Sequence, residues 1–598
     1  MSVSSPSLTQ GLKTLYTHLA VRRRWQLLLL VGMMLIGASA ELLSVGAVVP
    51  FVTVLAAPAR LSENAVVQKL MVAGGLSVEQ LPFAVSVVFG ALVVVAALIR
   101  LTLLFSSIRF AFGIGHDLSC ALYSKTLQRP YTFHVSRNTS EIIAGVNKVQ
   151  ELVGGFIVPL MNGLIAAMLS AGIILTLVVV DPLLAIGGAG IFGLSYVAVA
   201  FSVRRKLHRI GDVLARSTSQ RVQAIQEGLG AIRDVILDGS HRTYQKRFDE
   251  LDGQLRRAQA SRQALATAPR LLIEAIGMLL VAGFAVVYSA TGTGLAGLLP
   301  VLGVLALGAQ KLMPLIQQIY AGWSAALSGR ATLADLLDLL DFEPAAEGDD
   351  AVDFRRAIHF RSLSFSYFER PGAVPVLADI ELTIRKGEKL GVIGSTGSGK
   401  STMLDVLMGL LPASKGQLVI DDKVVTPESV RDWRKHIAHV PQSIFLSDAS
   451  IAENIGFGLP LKGIDPARLE QVARVAQIHE DILGMPQGYR TPVGERGVRL
   501  SGGQRQRIGI ARALYRQADV LVLDEATSAL DDATETSVMR GIDQLASDFT
   551  VIIIAHRLTT LKNCDRIVEL RQGRIAHIWT YESLMQQRAQ RTEGVGLS

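Results

Sequence analysis

Cysteine and charge are both scarce in this sequence, and each scarcity argues against a class of protein. The 598 residues include two cysteines, Cys120 and Cys564, whose separation matches no metal-binding or redox spacing. We therefore expect two reduced thiols without a chemical role. Only 18% of the residues are charged, against about 25% in typical soluble proteins. This composition disfavours a protein that is soluble along its whole length.

The positive charge of the chain is dispersed and does not form a nucleic-acid-binding surface. The formal net charge is +8, but no cluster of basic, base-reaching residues accompanies it. The excess of Lys and Arg lies between long apolar segments, as the positive-inside rule describes for the cytoplasmic loops of membrane proteins. We therefore expect membrane lipid, and no nucleic acid, as a partner.

Hydrophobic residues make up 50% of the chain and are concentrated in its first half. A helix that crosses a bilayer needs about 20 largely apolar residues, and six segments of this sequence meet that requirement. They are residues 25–48, 83–107, 153–179, 182–203, 270–289 and 294–317. Basic residues at 22–24 precede the first segment without a clear cleavage site, so we expect an uncleaved membrane helix there.

The connections between these segments predict their orientation. The connections at 108–152 and 204–269 are long and basic, so we expect both of them and both termini in the cytoplasm. Their compositions predict helices that extend the membrane spans and reverse near 130–134 and 237–240. The outer connection at 62–71 fits either a short amphipathic surface helix or an ordinary loop.

Four ionisable residues fall inside the predicted spans, namely Glu41, Arg100, Glu274 and Lys311. Charge at membrane depth is costly and usually faces a bundle interior or a water-filled cavity. We expect Arg100 and Lys311 to lie near a membrane boundary. Glu41 and Glu274 are candidates for a polar path through the bundle, with purely structural pairing as the alternative.

The second half of the chain contains a phosphate-binding motif. An apolar stretch, Leu390–Ile393, precedes the pattern G-x-x-x-x-G-K-S and a helix-like segment, which is the context that a P-loop requires. Backbone N–H groups of such a loop surround phosphate oxygens at the positive end of the helix. The motif and its flank comprise Gly394, Ser395, Thr396, Gly397, Ser398, Gly399, Lys400, Ser401 and Thr402. Lys400 can reach the β- and γ-phosphates of a nucleotide, and the Ser401 hydroxyl can ligate Mg²⁺.

Two further motifs extend this phosphate chemistry. An apolar run at 520–523 ends at Asp524 and Glu525. Asp524 suits the Mg²⁺ site, and Glu525 can polarise a water as a general base, with a structural role as the weaker alternative. The other motif consists of Ser501, Gly502, Gly503 and Gln504. It precedes a predicted helix, whose N-terminus would make a second anion site.

These motifs together resemble the ATP-binding cassette (ABC) family, and six spans followed by one cassette resemble an exporter-type half-transporter. The resemblance implies an ATP-hydrolysing translocase with ATP and Mg²⁺ as cofactors. It implies that Tyr367 stacks on adenine, that Gln442 contacts Mg²⁺, and that His556 contacts the γ-phosphate as a catalytic residue beside Glu525. Residues 491–497 resemble the segment that meets the membrane domain. Taken alone, a histidine such as His556 would more often be structural.

The resemblance also implies an architecture and an assembly. The expected fold class is a polytopic α-helical membrane domain with six transmembrane helices, fused to an α/β P-loop nucleotide-binding domain. The expected divisions are a cytoplasmic lead-in at 1–24, a transmembrane domain at 25–325, a linker at 326–354 and a nucleotide-binding domain at 355–598. Cassettes of this family pair head to tail, with ATP between the P-loop of one and the Ser501–Gln504 motif of the other. One cassette per chain therefore implies a homodimer.

The membrane half gives a hypothesis for the substrate. Residues 41–52, 268–274 and 307–314 resemble the bacterial lipid-linked oligosaccharide flippases typified by PglK. That resemblance implies flipping of a polyprenyl-pyrophosphate-linked oligosaccharide across the bacterial inner membrane, with Arg100 and Arg270 as candidates to meet the pyrophosphate. An exporter of drugs, peptides or other lipids is the alternative. A soluble ABC ATPase that acts on nucleic acid is disfavoured by the six spans.

Overall fold

The protein is described from a computed structural model, which covers residues 7–48, 50–51, 54, 77, 80–180, 182–290, 295–342, 351–367, 374–545, 549–555 and 557–595. The described residues divide into two compact units, one within 1–129 and 133–344 and the other within 130–132 and 345–598. We call them the helical unit and the sheet unit. The predicted outer segment at 62–71 lies outside the described residues.

Long helices dominate the first 340 residues of the chain. Their bounds are α1 Leu8–His18, α2 Val21–Gly46, α3 Leu81–Gln128, α4 Tyr131–Ser136, α5 Thr139–Leu152, α6 Val158–Val180, α7 Pro182–Gly230, α8 Ile232–Leu237, α9 His241–Ala290, α10 Leu295–Ser328 and α11 Arg330–Leu340. A π-helical segment, Val153–Ile157, joins α5 to α6. Each predicted membrane span lies within these helices, with Val153–Ile157 included, except that residues 47–48 follow the end of α2 and residue 294 lies outside the described residues.

Three described stretches are long and apolar enough to cross a membrane, namely Val21–Gly46, Leu81–Gln128 and Thr139–Val179. The other predicted spans lie in α7, α9 and α10, whose apolar parts include side chains outside the described residues. Helices α3, α7 and α9 contain 48, 49 and 50 residues. At about 1.5 Å per residue they are roughly 70–75 Å long, more than twice the thickness of the hydrocarbon core.

This length confirms the prediction that the spans continue far beyond the bilayer. The predicted reversals are confirmed as well, because α3 ends at Gln128 just before the proline of 130–134, and α8 ends at Leu237 before α9 begins at His241. Helices α7 and α9 then pack along each other through a buried cluster that contains Leu214 and Leu255.

Helices α6 and α10 approach each other closely because glycines face each other at their crossing. The Cα atom of Gly322 lies 3.3 Å from the position that a Cβ atom would take at Gly163. A Cβ atom at Gly322 would come within 2.7 Å of the carbonyl oxygen of Pro159. Small residues allow helix backbones to approach in this way, and van der Waals packing then holds the bundle together.

The sheet unit contains two sheets. Its strands are β1 Ala357–Phe365, β2 Leu377–Arg385, β3 Lys389–Gly394, β4 Lys415–Ile420, β5 Lys423–Val424, β6 Ile437–Val440, β7 Val520–Asp524, β8 Thr550–Ile554, β9 Arg566–Arg571 and β10 Arg574–Trp579. Its helices are α12 Lys400–Leu407, α13 Val430–Trp433, α14 Ile451–Ile455, α15 Pro466–Val475, α16 His479–Leu483, α17 Gly502–Tyr515, α18 Asp532–Leu545 and α19 Tyr581–Val595. This alternation confirms the predicted α/β nucleotide-binding fold class.

The larger sheet has the strand order β10-β9-β3-β8-β7-β6. Strand β3 pairs in parallel with β8 and β9, and β7 pairs in parallel with β6 and β8. The carboxyl ends of β3, β6, β7 and β8 therefore meet at one edge, which is where open α/β sheets place their ligands. The smaller sheet, β2-β1-β4-β5, is antiparallel.

The crossing of α6 and α10 gives a test of the helical unit. We expect Gly322→Ala to lower the thermal unfolding midpoint of the protein in nanodiscs by several degrees, because about 1–3 kcal/mol of overpacking strain has no space to relax. Gly32→Ala is the matched control, since its Cβ atom would meet no described atom within 4 Å. Equal midpoints for the two variants would contradict this packing.

Candidate ATP-binding site

The P-loop links the end of β3 to the start of α12, and its glycines fit a tight turn. Gly397 and Gly399 have φ angles of +79° and +102°, a region that residues with a Cβ atom avoid. At Gly399 a Cβ atom would also lie 2.9 Å from Leu377 Cδ2 and 3.0 Å from the carbonyl oxygen of Val376. The backbone can therefore curl around an anion at this position only because glycine is there.

The groups around this loop fit the phosphates of ATP. Lys400 is 9% exposed, and its ammonium donates to the carbonyl oxygens of Gly394 at 2.9 Å and Ser395 at 3.1 Å. Ser398 is 3% exposed, and its hydroxyl has no hydrogen-bond partner among the described residues. A buried polar group without a partner is costly. A phosphate oxygen would give the Ser398 hydroxyl its missing partner and the Lys400 ammonium an anionic one.

The Tyr367 side chain lies beside α12, the helix that follows the P-loop, where it could stack on adenine as predicted. Its hydroxyl lies 3.4 Å from Thr402 Oγ1, and its ring packs edge-on against Phe365 with 4.9 Å between centroids. The side chain is 48% exposed. An exposed ring that is held against the phosphate loop can stack on a nucleotide base.

The ends of β6 and β7 bring Gln442 and Glu525 together. Gln442 Nε2 donates to Glu525 Oε2 at 2.7 Å. Glu525 has a φ angle of +51°, and its backbone N–H donates to the carbonyl oxygen of Ile554 at 3.1 Å. A non-glycine residue with positive φ is strained by about 1–3 kcal/mol, and such strain clusters at functional sites. His556 lies two residues beyond Ile554, outside the described residues.

Sequence reasoning missed a carboxyl group near the predicted Mg²⁺ ligand. Burial and then the negative charge of Asp524 raise the pKa of Asp405, on α12, to about 6. Two carboxylates in one partly buried place repel each other, and a divalent cation at Asp524 would relieve that repulsion. The only available sequence signal was a lone acid in an apolar helical stretch, which is too common to be specific.

The second anion motif begins α17. Ser501 Oγ accepts from the N–H of Gln504 at 3.2 Å, and Gln504 Oε1 accepts from the N–H of Ser501 at 3.0 Å, which forms a capping box. One turn later, Gln506 donates to Ser528 Oγ at 3.0 Å and accepts from the N–H of Ala529 at 2.8 Å. The motif is thus fixed to the loop at 528–531, with Ser501 exposed to solvent.

The predicted site residues therefore fall into two groups. The P-loop, Tyr367, Gln442, Asp524 and Glu525 gather along the carboxyl edge of the larger sheet. Ser501, Gly502, Gly503 and Gln504 belong to the N-terminus of α17 and pack on residues 528–531. If both groups bind phosphate, the sheet unit would offer the two anion-binding surfaces that a head-to-tail pair of such units would need.

Two protein-family descriptions and a group of curated relatives match most of this chain. The family described as ABC transporter matches residues 377–528, and the family described as ABC transporter transmembrane region matches residues 61–305. A Xanthomonas campestris pv. campestris (strain 8004) protein named ATP-dependent lipid A-core flippase is 33% identical over 79% of this chain and 80% of its own length. This chain belongs to the ABC transporter family.

Other relatives and one solved structure agree with this assignment. A lipid A-core flippase of Xanthomonas oryzae pv. oryzae (strain MAFF 311018) is 34% identical over 64% of this chain, and the match spans 65% of that relative. One from Cupriavidus metallidurans is 29% identical over 79% of this chain and 80% of its own. The structure of a bacterial Atm1-family ABC exporter with ATP bound has a TM-score of 0.78 at 22% identity, covering 94% of this chain and 96% of that one. That likeness shows a shared fold.

The membrane domain of this ABC transporter contains the four ionisable residues that the sequence analysis found inside the predicted spans, and the structure shows how they pair. Glu41 is 2% exposed, and its Oε1 lies 2.7 Å from Lys311 Nζ while its Oε2 lies 3.6 Å from Arg100 Nε. Arg100 and Lys311 both pair with this buried acid, and their expected position near a membrane boundary stays a prediction. Glu274 is 44% exposed and lies 3.9 Å from Arg270, so within the single chain it does not share the burial of Glu41.

A cavity of about 520 Å³ opens beside Glu41, Arg100 and Lys311. Its lining includes the amides of Asn162 and Gln318, which also line a second cavity of about 290 Å³. The two cavities therefore adjoin along α6 and α10. Asn162 and Gln318 thus contribute amides to both cavities, and Arg100 and Lys311 add cations to the larger one.

The two P-loop glycines provide a test of the site geometry. We expect Gly397→Ala to lower the stability of the nucleotide-free protein by about 1–2 kcal/mol, the cost of a left-handed conformation. Gly399→Ala should cost clearly more, because its Cβ atom also collides with Leu377 and Val376. Thermal unfolding of both variants without nucleotide measures the difference. An equal loss in the two variants would contradict the described loop.

Proposed function

We propose that this chain is one half of a homodimeric, ATP-driven flippase, which moves a phosphate-bearing glycolipid from the cytoplasmic to the outer leaflet of the bacterial inner membrane. The observation that carries the proposal is the gathering of the P-loop, Gln442, Asp524 and Glu525 at one sheet edge, in a chain whose other unit has helices of membrane length. The relatives named lipid A-core flippases support lipid as the substrate class.

In this proposal each group around the ATP site has a defined role. The loop N–H groups and Lys400 bind the phosphates, while Ser401, Gln442 and Asp524 hold Mg²⁺, which would neutralise charge on the phosphates. Glu525 accepts a proton from the attacking water, and Gln442 keeps its carboxylate in position through the 2.7 Å hydrogen bond. His556 contacts the γ-phosphate.

Energy coupling follows from differential binding. A ligand shifts a conformational equilibrium only by the difference in its affinity for the two states. ATP that is bound between two cassettes favours their closure, and hydrolysis removes that preference. The membrane domains would therefore alternate between inward- and outward-open states as ATP is bound and consumed.

Two lines of argument converge on the substrate class. The relatives are named for lipid A-core, and the membrane segments resemble flippases of polyprenyl-pyrophosphate-linked oligosaccharides. Both lipids carry phosphate and sugar, so the proposal names their shared chemistry. The cations Arg100 and Lys311 at the wall of an amide-lined cavity fit the phosphate part of such a head group.

Transport in proteoliposomes tests the activity. We expect ATP-dependent flipping of a fluorescent lipid A or of a fluorescent polyprenyl-pyrophosphate oligosaccharide. Glu525→Gln should keep ATP binding, lose hydrolysis by about 10²–10⁴-fold because the general base is gone, and abolish flipping. Glu480→Gln, which changes an 83% exposed carboxylate of the same unit, should behave as wild type. Normal ATP hydrolysis without movement of either lipid would refute the substrate class.

A mixed dimer tests whether each ATP site is shared between two chains. Homodimers of Lys400→Ala and of Ser501→Arg should both be inactive, since each carries one defect in every site. In a purified heterodimer of the two variants, a shared arrangement puts both defects into one site and leaves the other intact. We therefore expect ATP hydrolysis to return in the heterodimer alone. No recovery would show that each chain builds its site by itself.

A further inference from the structure

Three helices bring one carboxylate and two cations together in the membrane domain. Glu41 lies on α2, Arg100 on α3 and Lys311 on α10. The side chain of Glu41 is 2% exposed, whereas those of Arg100 and Lys311 are 45% and 34% exposed. All three residues line the cavity of about 520 Å³, where Glu41 is the most buried and the two cations are more exposed.

The pairing within this group is unequal. Lys311 Nζ donates to Glu41 Oε1 at 2.7 Å and to Ser44 Oγ at 3.3 Å. Glu41 Oε2 is buried without a hydrogen-bond partner among the described residues, and Arg100 Nε is 3.6 Å away from it. Arg100 therefore keeps donors that the carboxylate does not satisfy, while two cations and one anion leave a net charge of +1.

A buried carboxylate that pairs with two cations has two opposite effects on those cations. Without a ligand it stabilises them, because a cation that is unpaired inside a membrane bundle is costly. With an anion in the cavity it competes for the same cations and lowers their attraction for that anion. A transporter needs this second effect. A head group that binds too tightly before the conformational change is not released after it.

We propose that Glu41 is an internal counterion that competes with the lipid phosphate for Arg100 and Lys311, and so sets how tightly the head group is held and how readily it leaves. This inference rests on the proposed function for the identity of the ligand. Its chemistry is a phosphate or pyrophosphate group, which two sources could supply, lipid A or a polyprenyl pyrophosphate.

Charge variants test the inference by binding alone. Dissociation constants of lipid A and of a polyprenyl pyrophosphate are measured on the nucleotide-free, full-length protein in nanodiscs, with neutral polyprenol for comparison. The variants are Glu41→Gln, Lys311→Gln and the double variant. They change the net charge of the group from +1 to +2, to 0 and back to +1.

We expect Glu41→Gln to bind the phosphorylated lipid about tenfold more tightly and Lys311→Gln about tenfold more weakly, within the usual range of coupling between sites. The double variant should return close to the wild-type value, and polyprenol binding should not change. The phosphorylated lipid that responds to these charges identifies the source of the phosphate. In proteoliposomes, Glu41→Gln should flip that lipid more slowly despite its tighter binding, because release is slowed.

Asp117→Asn is the matched control. Asp117 lies on α3 and does not line the cavity, and its carboxylate pairs with Arg23 at 2.7 Å. It should leave lipid binding unchanged. Equal or weaker binding of phosphorylated lipid to Glu41→Gln overturns the inference, and so does binding that falls equally for charged and neutral lipid. No binding of either phosphorylated lipid to the wild type also overturns it. Charge-dependent binding without ATP-driven flipping would instead refute the flippase assignment and support the role of Glu41 as a competing counterion.

Discussion

The parallel pairing of β3, β8, β7 and β6 is the constraint on which the ATP site depends. Parallel strands present their carboxyl ends at a common edge, and the polar residues that follow each strand must therefore meet there. The P-loop follows β3, Gln442 follows β6, and Asp524 and Glu525 end β7. Residues 83 positions apart thus come within hydrogen-bonding distance, as the 2.7 Å contact between Gln442 and Glu525 shows.

In the membrane domain, residues from distant parts of the chain also come together, and there they compensate buried charge. Buried charge must be compensated wherever it lies, and Glu41, Arg100 and Lys311 compensate one another across three helices. The compensation is incomplete, because one carboxylate oxygen has no hydrogen bond from any described residue and one net positive charge remains. An incompletely neutralised cluster beside a cavity can serve an anionic ligand, whereas a fully satisfied one would be only structural.

Local patterns explain what the sequence could predict. The P-loop and the Asp524–Glu525 pair are contiguous motifs whose strand and helix context can be read directly, and the membrane helices follow from apolar length. Partners between distant helices cannot be found in this way: Glu41 and Lys311 are 270 residues apart, and nothing local indicates their contact. The pairing of Arg100 with Glu41 was not predicted for the same reason, and Asp405 was missed because its significance comes from Asp524. The roles of His556 and of the outer segment at 62–71 stay predictions.

In the proposed function, ATP and a phosphorylated lipid both act on the equilibrium between the inward- and outward-open states. The most direct measurement is the ATP hydrolysis rate of the protein in nanodiscs as lipid A is titrated, compared with chemically dephosphorylated lipid A and repeated with a polyprenyl pyrophosphate and polyprenol. We expect at least one phosphorylated lipid to change the rate several-fold, within the usual range of such coupling, and its phosphate-free counterpart to leave the rate unchanged. Identical rates with and without the phosphate, for both pairs of lipids, would contradict the proposed function.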